Sequence, residues 1–250
     1  METIATKDVL TLSVALGESM LACGAEIYRV EETVQRILQA YELEDSHVYV
    51  ISNGIFASSN VGGDGCSLIR SVPLGTIHLG KIAAMNQLAR DLAARNCSVS
   101  EGWERLRQCQ ELPPPHKRMA VLCRGIGCSA FCLLFGGSMT DALCAGVIGM
   151  VLGLHMNWQE RLSMARFAKC LFNSMLVTLL SFLPLWMGLA VSQDRVVISG
   201  IIPLFPGIAF TTSVRELFNS DYLSGVIHFV DALLTALCIA AGVGIVISLC

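Results

Sequence analysis

Charged side chains are scarce in the second half of this sequence. The last 132 of its 250 residues carry twelve of them, six basic and six acidic. Over the whole chain, hydrophobic residues make up 54% and charged residues 15%, with a mean hydropathy of +0.61, whereas soluble domains average about 25% charged. Because this half contains apolar stretches long enough to cross a bilayer, the sequence predicts an integral membrane protein.

Signatures of catalysis and of nucleic-acid binding are missing as well. The net charge of −3 comes from the first half and no basic patch is present, so nucleic acid is not an expected partner. The absence of a Walker-type phosphate loop argues against coupling to ATP. No Ser/His/Asp or paired-carboxylate spacing surrounds His47 or His78, so no catalytic residues and no cofactor are expected.

The eleven cysteines are odd in number and none are spaced as CxxC. Six lie in or beside apolar runs and are interpreted as small buried hydrophobes, not as metal ligands or disulfide partners: Cys123, Cys128, Cys132, Cys144, Cys170 and Cys238. The N-terminus lacks a cationic start and places Glu18 where a signal peptide would be apolar, so no cleavage is expected. The front of the chain is therefore predicted to stay in the cytoplasm.

Residues 1–112 are predicted to form a small cytoplasmic α+β domain of four helices on an antiparallel sheet. Helical periodicity covers 9–23, 25–41, 77–95 and 101–112, and strand-like alternation covers 47–52, 55–60 and 66–72. Asn53-Gly54 favours a tight hairpin turn. Gly62-Gly63-Asp64-Gly65 is interpreted as a plain turn, because no helix N-terminus follows it to hold a phosphate. A proline-rich linker at 113–118 then ends the domain.

Residues 119–250 are predicted to form a five-span transmembrane domain, so the fold class is a mainly α membrane protein. The spans are expected at 119–135, 140–156, 167–191, 196–214 and 223–250. Basic residues collect on one side of these spans: Lys117, Arg118, Arg124, Arg161, Arg166, Lys169 and Arg215. The opposite loops contain Arg195 alone, which places the N-terminus in the cytoplasm and the C-terminus outside a plasma (inner) membrane.

The fourth predicted span contains two prolines and a glycine near its middle. Pro203 and Pro206 each remove a backbone donor, so a continuous helix is not expected there. Broken helices at membrane depth line cavities in transporters, and this predicts a substrate pathway. Its candidate residues are Pro203, Phe205, Pro206, Gly207, Thr211, Thr212 and Arg215, the last of which would attract a substrate carboxylate. A proline kink of purely structural purpose is the alternative.

The fifth predicted span carries an acidic residue. Asp231 follows His228 by three positions and precedes Thr235 by four, so these side chains share one helix face. Ionisable groups inside a bilayer are costly and are usually functional, so Asp231 with His228 is predicted to carry a coupling proton. In the alternative interpretation, the bilayer begins near Val230 and Asp231 is an interfacial anchor.

Two further patterns concern helix packing. Small residues recur at every fourth position in the second span (Ala145, Gly149, Gly153) and in the fifth (Ala232, Ala236, Ala240, Gly244). They predict close helix contacts, either within the chain or with a second copy in a homo-oligomer. A polar stripe of Ser174, Thr178 and Ser181 in the third span is interpreted as hydrogen bonding between helices.

Three segments together resemble the threonine/serine exporter (ThrE) family. They are Gly24-Ala25-Glu26 with Tyr28-Arg29-Val30-Glu31, Ile202-Pro203-Leu204-Phe205-Pro206-Gly207, and Ser224-Gly225 with Asp231-Ala232-Leu233. Their order and spacing match over nearly the full length. The longest family members resemble this chain joined to a second, shorter membrane domain, so the sequence resembles the larger, YjjP-type subunit of a split two-protein form.

The resemblance implies a gradient-driven secondary exporter of small carboxylate-bearing metabolites, threonine and serine or a dicarboxylate such as succinate. It implies a second small multi-span subunit as a partner, beside the substrate and membrane lipid. The alternative is a membrane-anchored enzyme, or a metabolite-sensing scaffold, with its site in the N-terminal domain. That domain shows no nucleophile motif, and five spans with a double-proline break exceed what an anchor needs.

Overall fold

The computed structural model of this chain describes residues 2–43, 45–61, 64–73, 75, 77–114 and 116–249. The turn predicted at Gly62-Gly63 lies outside the described residues. The chain divides into two compact units, Met1–Pro114 and Pro115–Cys250, which we call the front unit and the membrane unit.

In its described residues, the front unit contains four helices and one sheet, as the periodicity predicts. Its elements are α1 (Glu2–Ala22), α2 (Ile27–Ala40), β1 (Ser46–Ile51), β2 (Gly54–Val61), β3 (Asp64–Ser71), α3 (Leu79–Ala93) and α4 (Val99–Glu111). The strands form an antiparallel meander in the order β1-β2-β3, and the Asn53-Gly54 turn sets the register Ile51 opposite Gly54. Ser98 caps α4, because its hydroxyl accepts a hydrogen bond from the Glu101 N–H at 3.2 Å.

Helix α1 is the centre of the front unit, not a surface helix with one apolar face. It contacts α2, α3, α4, β2 and β3, so apolar side chains are buried on several of its faces, among them Val9, Leu10, Leu12, Val14 and Leu16. Periodicity alone predicted a single buried face, because it does not count how many neighbours surround a helix.

The membrane unit is entirely helical in its described part. Its elements are α5 (Lys117–Leu134), α6 (Met139–Gln159), α7 (Arg166–Trp186), α8 (Gln193–Ile201), a 3₁₀ turn (Ile202–Leu204), α9 (Gly207–Phe218) and α10 (Tyr222–Leu249). Helices α5 and α6 pack as a hairpin, α8 lies against α5, α6 and α7, and α10 packs on α7 and α9.

Among the described helices, three are long and apolar enough to cross a membrane: α6, α7 and α10. The pair α8–α9 adds a fourth if it counts as one span bent by 62°. Helix α5 is not in this group because its 18 residues include Lys117, Arg118 and Arg124. The count of five spans therefore stays a prediction that depends on α5.

Glycines let the membrane helices approach closely. A Cβ atom at Gly149 of α6 would lie 3.0 Å from the Arg124 carbonyl oxygen of α5, and one at Gly153 would lie 3.2 Å from the Val121 Cα. The small-residue pattern of the second predicted span thus serves contacts within the chain.

The corresponding pattern in the fifth span only partly matches the face that packs within the chain. Gly244 has no atom within 4 Å of an added Cβ and Ala240 is exposed. The buried face of α10 instead contains Ala232, Thr235, Ile239, Gly242 and Val246. Spacings of exactly four residues drift around a helix of 3.6 residues per turn, so the regular pattern and the packed face diverge along α10.

Candidate functional site

The predicted interruption of the fourth span is present. Helix α8 ends at Ile201, the 3₁₀ turn follows, and α9 begins at Gly207 after the 62° bend. Pro203 has no N–H to offer the carbonyl of Ser199, which removes one helical hydrogen bond. The Gly207 N–H donates to the Phe205 carbonyl at 2.9 Å across Pro206, whose φ of −81° and ψ of 49° are near an inverse γ-turn.

The bend separates the residues predicted to line one pathway. The 3₁₀ turn with Pro203 contacts α5 and α7, whereas α9, with Thr211, Thr212 and Arg215, packs mainly against α10. Phe205 is 61% exposed at the bend itself. The exposed Thr211 hydroxyl donates to the carbonyls of Gly207 and Ile208 in its own helix, both at 3.0 Å. Two groups of predicted residues therefore flank the bend.

A buried carboxylate missed by sequence reasoning is the strongest polar feature of α9. The Glu216 side chain is 5% exposed, and its Oε2 lies 2.7 Å from Nδ1 of His228 on α10. Its other oxygen, Oε1, is buried and has no hydrogen-bond partner among the described residues. The sequence signal was an acidic residue between Val214 and Leu217, directly after Arg215.

Gly225 of α10 brings these two helices together. A Cβ atom there would lie 2.8 Å from Cγ and 3.1 Å from the backbone nitrogen of Leu217 on α9. The Ser224 hydroxyl beside it is buried without a hydrogen-bond partner in the described ranges. The close approach at Gly225 places the Glu216–His228 pair in the interface between α9 and α10.

Asp231 has a different partner from the one predicted. Its carboxylate binds both terminal nitrogens of Arg166, the first residue of α7, at 2.9 and 3.1 Å. The Arg166 side chain is 60% exposed and that of Asp231 is 27% exposed. Asp231 and His228 share a helix face, but each pairs with a residue of another helix. Asp231 lies beside the first residue of α7, which agrees with the interpretation of Asp231 as an interfacial anchor.

The polar stripe of the third span does not connect helices. Ser174, Thr178 and Ser181 are fully buried, and each hydroxyl donates to a carbonyl three or four residues earlier in α7. The interpretation as hydrogen bonding between helices is wrong for these three hydroxyls, because each donates within α7 itself. Gly242 of α10 lies against Ser174.

The front unit offers little chemistry in its described part. Burial raises the pKa of the Cys97 and Cys109 thiols, which keeps them protonated and weakly nucleophilic. A shallow cleft of about 380 Å³ between α2 and α3 is lined by Thr33, Arg36, Asn86, Ala89, Arg90, Ala93 and Ala94. Across the described residues of the whole chain, no group of three or more His, Cys, Asp or Glu side chains could hold a metal ion.

Comparison with known proteins agrees with the resemblance seen in the sequence. The family model described as "Putative threonine/serine exporter" matches residues 11–250. A "Probable threonine/serine exporter" of Mycobacterium tuberculosis is 26% identical over 249 residues, which cover 98% of this chain and 46% of the relative. A "Threonine/serine exporter" of Corynebacterium glutamicum is 22% identical over 254 residues, covering 96% of this chain and 51% of the relative.

The chain thus spans about half the length of the curated relatives it matches. No solved structure matches it significantly.

Proposed function

Because the chain belongs to the threonine/serine exporter family, we propose that it is one subunit of a secondary exporter of small carboxylate-bearing metabolites. It is a multi-pass membrane protein of a transporter family, with apolar helices long enough to span. The substrates we propose are threonine and serine, or a dicarboxylate such as succinate. The N-terminus would lie in the cytoplasm and the C-terminus outside the inner membrane, with α5 as a fifth span.

The observation that carries this proposal is the bend between α8 and α9. An interruption at membrane depth leaves backbone groups without helical partners, and these are stable only when buried in protein or beside a hydrated cavity. Transporters use such interruptions to hold substrates and ions. Pro203, Phe205, Pro206 and Gly207 form the interruption, and Thr211, Thr212 and Arg215 would continue the pathway along α9.

Proton coupling is assigned to the Glu216–His228 pair. A carboxylate buried at 5% exposure and bonded to an imidazole is a group whose proton occupancy can follow the conformation of its surroundings. Asp231 is a weaker candidate, since its carboxylate is already engaged in a bidentate ion pair with Arg166. We therefore expect Asp231 to tie α10 to α7 and Glu216 to exchange the proton.

A second small membrane subunit would complete the path. The curated relatives are about twice the length of the region they share with this chain. Exposed apolar side chains along α10, such as Leu233, Leu237 and Ile247, are available to lipid, to this subunit or to a second copy.

The bend can be tested by restoring a backbone donor. Pro206→Ala gives the chain a hydrogen bond that favours a continuous helix by up to about 3 kcal/mol, so efflux is expected to fall about tenfold or more. The assay is efflux of labelled threonine, serine and succinate from vesicles containing the chain with its co-expressed candidate partner. Pro184→Ala is the matched control, because Pro184 lies inside α7, away from the bend.

Retention of full efflux by Pro206→Ala would show that transport does not require the bend. Loss of efflux in both proline variants would point to general helix damage. Vesicles that contain folded wild-type chain and partner but release none of the three solutes under a proton gradient would refute the export proposal itself.

A further inference from the structure

Among the described residues of the membrane unit, the basic side chain of Arg124 on α5 has a buried nitrogen without a hydrogen-bond partner. Arg124 lies seven residues after Lys117, about 10 Å along α5. Its Nη1 nitrogen is fully buried and has no hydrogen-bond partner in the described part of the chain. No other basic side chain of the described residues has a buried nitrogen in this condition.

Two other basic side chains of the membrane unit have acidic partners. Lys117, the first residue of α5, pairs with Glu160 at 2.6 Å, and Arg166, the first residue of α7, pairs with Asp231 at 2.9 Å. No carboxylate of the described residues lies within ion-pair distance of Arg124. Arg124 as a whole is half-buried, but burying its Nη1 donor without a partner is costly, so this position is expected to receive an anion.

The packing of α5 on α6 directs this arginine inward. Gly149 and Gly153 of α6 carry no side chains where the arginine stem passes, and a Cβ at Gly153 would lie 3.4 Å from Arg124 Cδ. The arginine stem can lie along the glycine surface, which brings its head group to the seam between α5 and α6.

The contact between α5 and α6 lies at a similar depth to the interruption after α8. Gly200 of α8 packs against Val177 of α7 and Ile148 of α6, and Ile148 precedes Gly149 in the next position. The 3₁₀ turn starts two residues after Gly200 and contacts both α5 and α7. Arg124 and the 3₁₀ turn therefore lie at a similar depth in one helix bundle, on elements that touch.

We propose that Arg124 binds the carboxylate group of a small organic acid or amino acid at the interruption after α8. This inference rests on the proposed export function and adds the residue that recognises the substrate. A guanidinium presents donors in a planar fork that matches the two oxygens of a carboxylate. A lipid phosphate has the same acceptor chemistry, so the test must separate a dissolved carboxylate from a headgroup.

The test is equilibrium binding of labelled succinate and labelled threonine to the full chain in nanodiscs of zwitterionic lipid. Arg124→Gln should weaken binding of at least one probe by about 10- to 100-fold, as expected for a lost hydrogen bond to a charged group. Arg124→Lys should weaken it less, because it keeps the charge but not the fork. Arg118→Gln is the matched control, an exposed arginine on the same helix.

Thermal unfolding without ligand separates a binding role from a structural one. The unpartnered Nη1 donor contributes no hydrogen bond in the empty protein, and glutamine keeps most of the stem that lies along Gly153, so Arg124→Gln should leave the unfolding midpoint unchanged or raise it. A clear fall of the midpoint, or probe binding equal to that of the wild type, would overturn the proposal.

Nanodiscs containing anionic phosphatidylglycerol complete the design. Wild-type affinity for the probe should be the same in both lipids. If anionic lipid suppresses the wild-type affinity and Arg124→Gln relieves the suppression, the arginine binds a headgroup and the proposal fails. Wild-type chain that binds neither probe also refutes it, whereas wild-type efflux in the vesicle assay would leave the export function standing.

Discussion

Glu216→Gln is expected to reduce gradient-driven efflux to the level of vesicles without the protein. Glutamine keeps the size of the side chain and can still hydrogen-bond to Nδ1 of His228, which the wild type contacts at 2.7 Å. It cannot take up or release a proton, so a coupling role would be lost while the α9–α10 contact remains. The measurement is efflux of the best substrate with and without an imposed proton gradient.

Two controls make this result specific. Glu160→Gln makes the same chemical change at a carboxylate that is 60% exposed and paired with Lys117, and it should leave efflux nearly unchanged. Exchange of internal for external substrate without a gradient should persist in Glu216→Gln, because that reaction requires no net proton movement. Loss of exchange as well would mean that the variant is inactive for other reasons.

Asp231→Asn distinguishes the two candidate proton sites. Sequence reasoning assigned coupling to Asp231 with His228, and that assignment predicts complete loss of gradient-driven efflux in Asp231→Asn. The Arg166–Asp231 ion pair predicts a folded variant with reduced but gradient-dependent efflux. Full coupling in Glu216→Gln together with none in Asp231→Asn would restore the original assignment.

Gly242→Ala is expected to destabilise the membrane unit by about 1–3 kcal/mol, the usual cost of overfilling a tight contact. The added Cβ would lie 2.7 Å from the Leu171 carbonyl oxygen and 3.2 Å from the Met175 backbone nitrogen, and it would meet the Ser174 hydroxyl. Because two of these atoms belong to the α7 backbone, the helices themselves must separate. A lower thermal midpoint in detergent or nanodiscs would show this.

Gly244→Ala, two residues further along the same helix, is the matched control. Its added Cβ meets nothing within 4 Å, and alanine favours a helix over glycine by up to about 1 kcal/mol. The control should therefore be neutral or stabilising. Equal destabilisation by both variants would imply that a partner chain packs against Gly244. A Gly242→Ala variant as stable as the wild type would mean that α7 and α10 pack less closely than these distances indicate.

Local sequence signals predicted the elements well. The Asn53-Gly54 hairpin and the break at Pro203–Gly207 each depend on backbone preferences of a few adjacent residues. The several buried faces of α1 were not visible in its periodicity, and the small-residue pattern of α10 only partly matches the face that packs within the chain. Both depend on which neighbours surround a helix, and that information is not contained in the helix's own periodicity.

The candidate site was predicted only in part for the same reason. The bend was visible in the sequence because proline and glycine act on their own backbone. The partners of its charged groups were not, since Glu216 and His228 are twelve residues apart and Arg166 and Asp231 are 65 apart. A helical wheel shows that His228 and Asp231 share a face, but it does not show which side chain of another helix reaches each.

By itself, the sequence determined that the rear half is a membrane domain of apolar helices, that one helix is interrupted, and that a small α+β unit precedes them. These properties follow from hydropathy and from the conformational limits of proline and glycine, which act within one segment. Only the tertiary structure decided that Glu216 contacts His228, that Arg166 pairs with Asp231, and that Nη1 of Arg124 is buried without a hydrogen-bond partner among the described residues. Electrostatic pairing depends on distance and on exclusion of water, and both arise when separate helices pack.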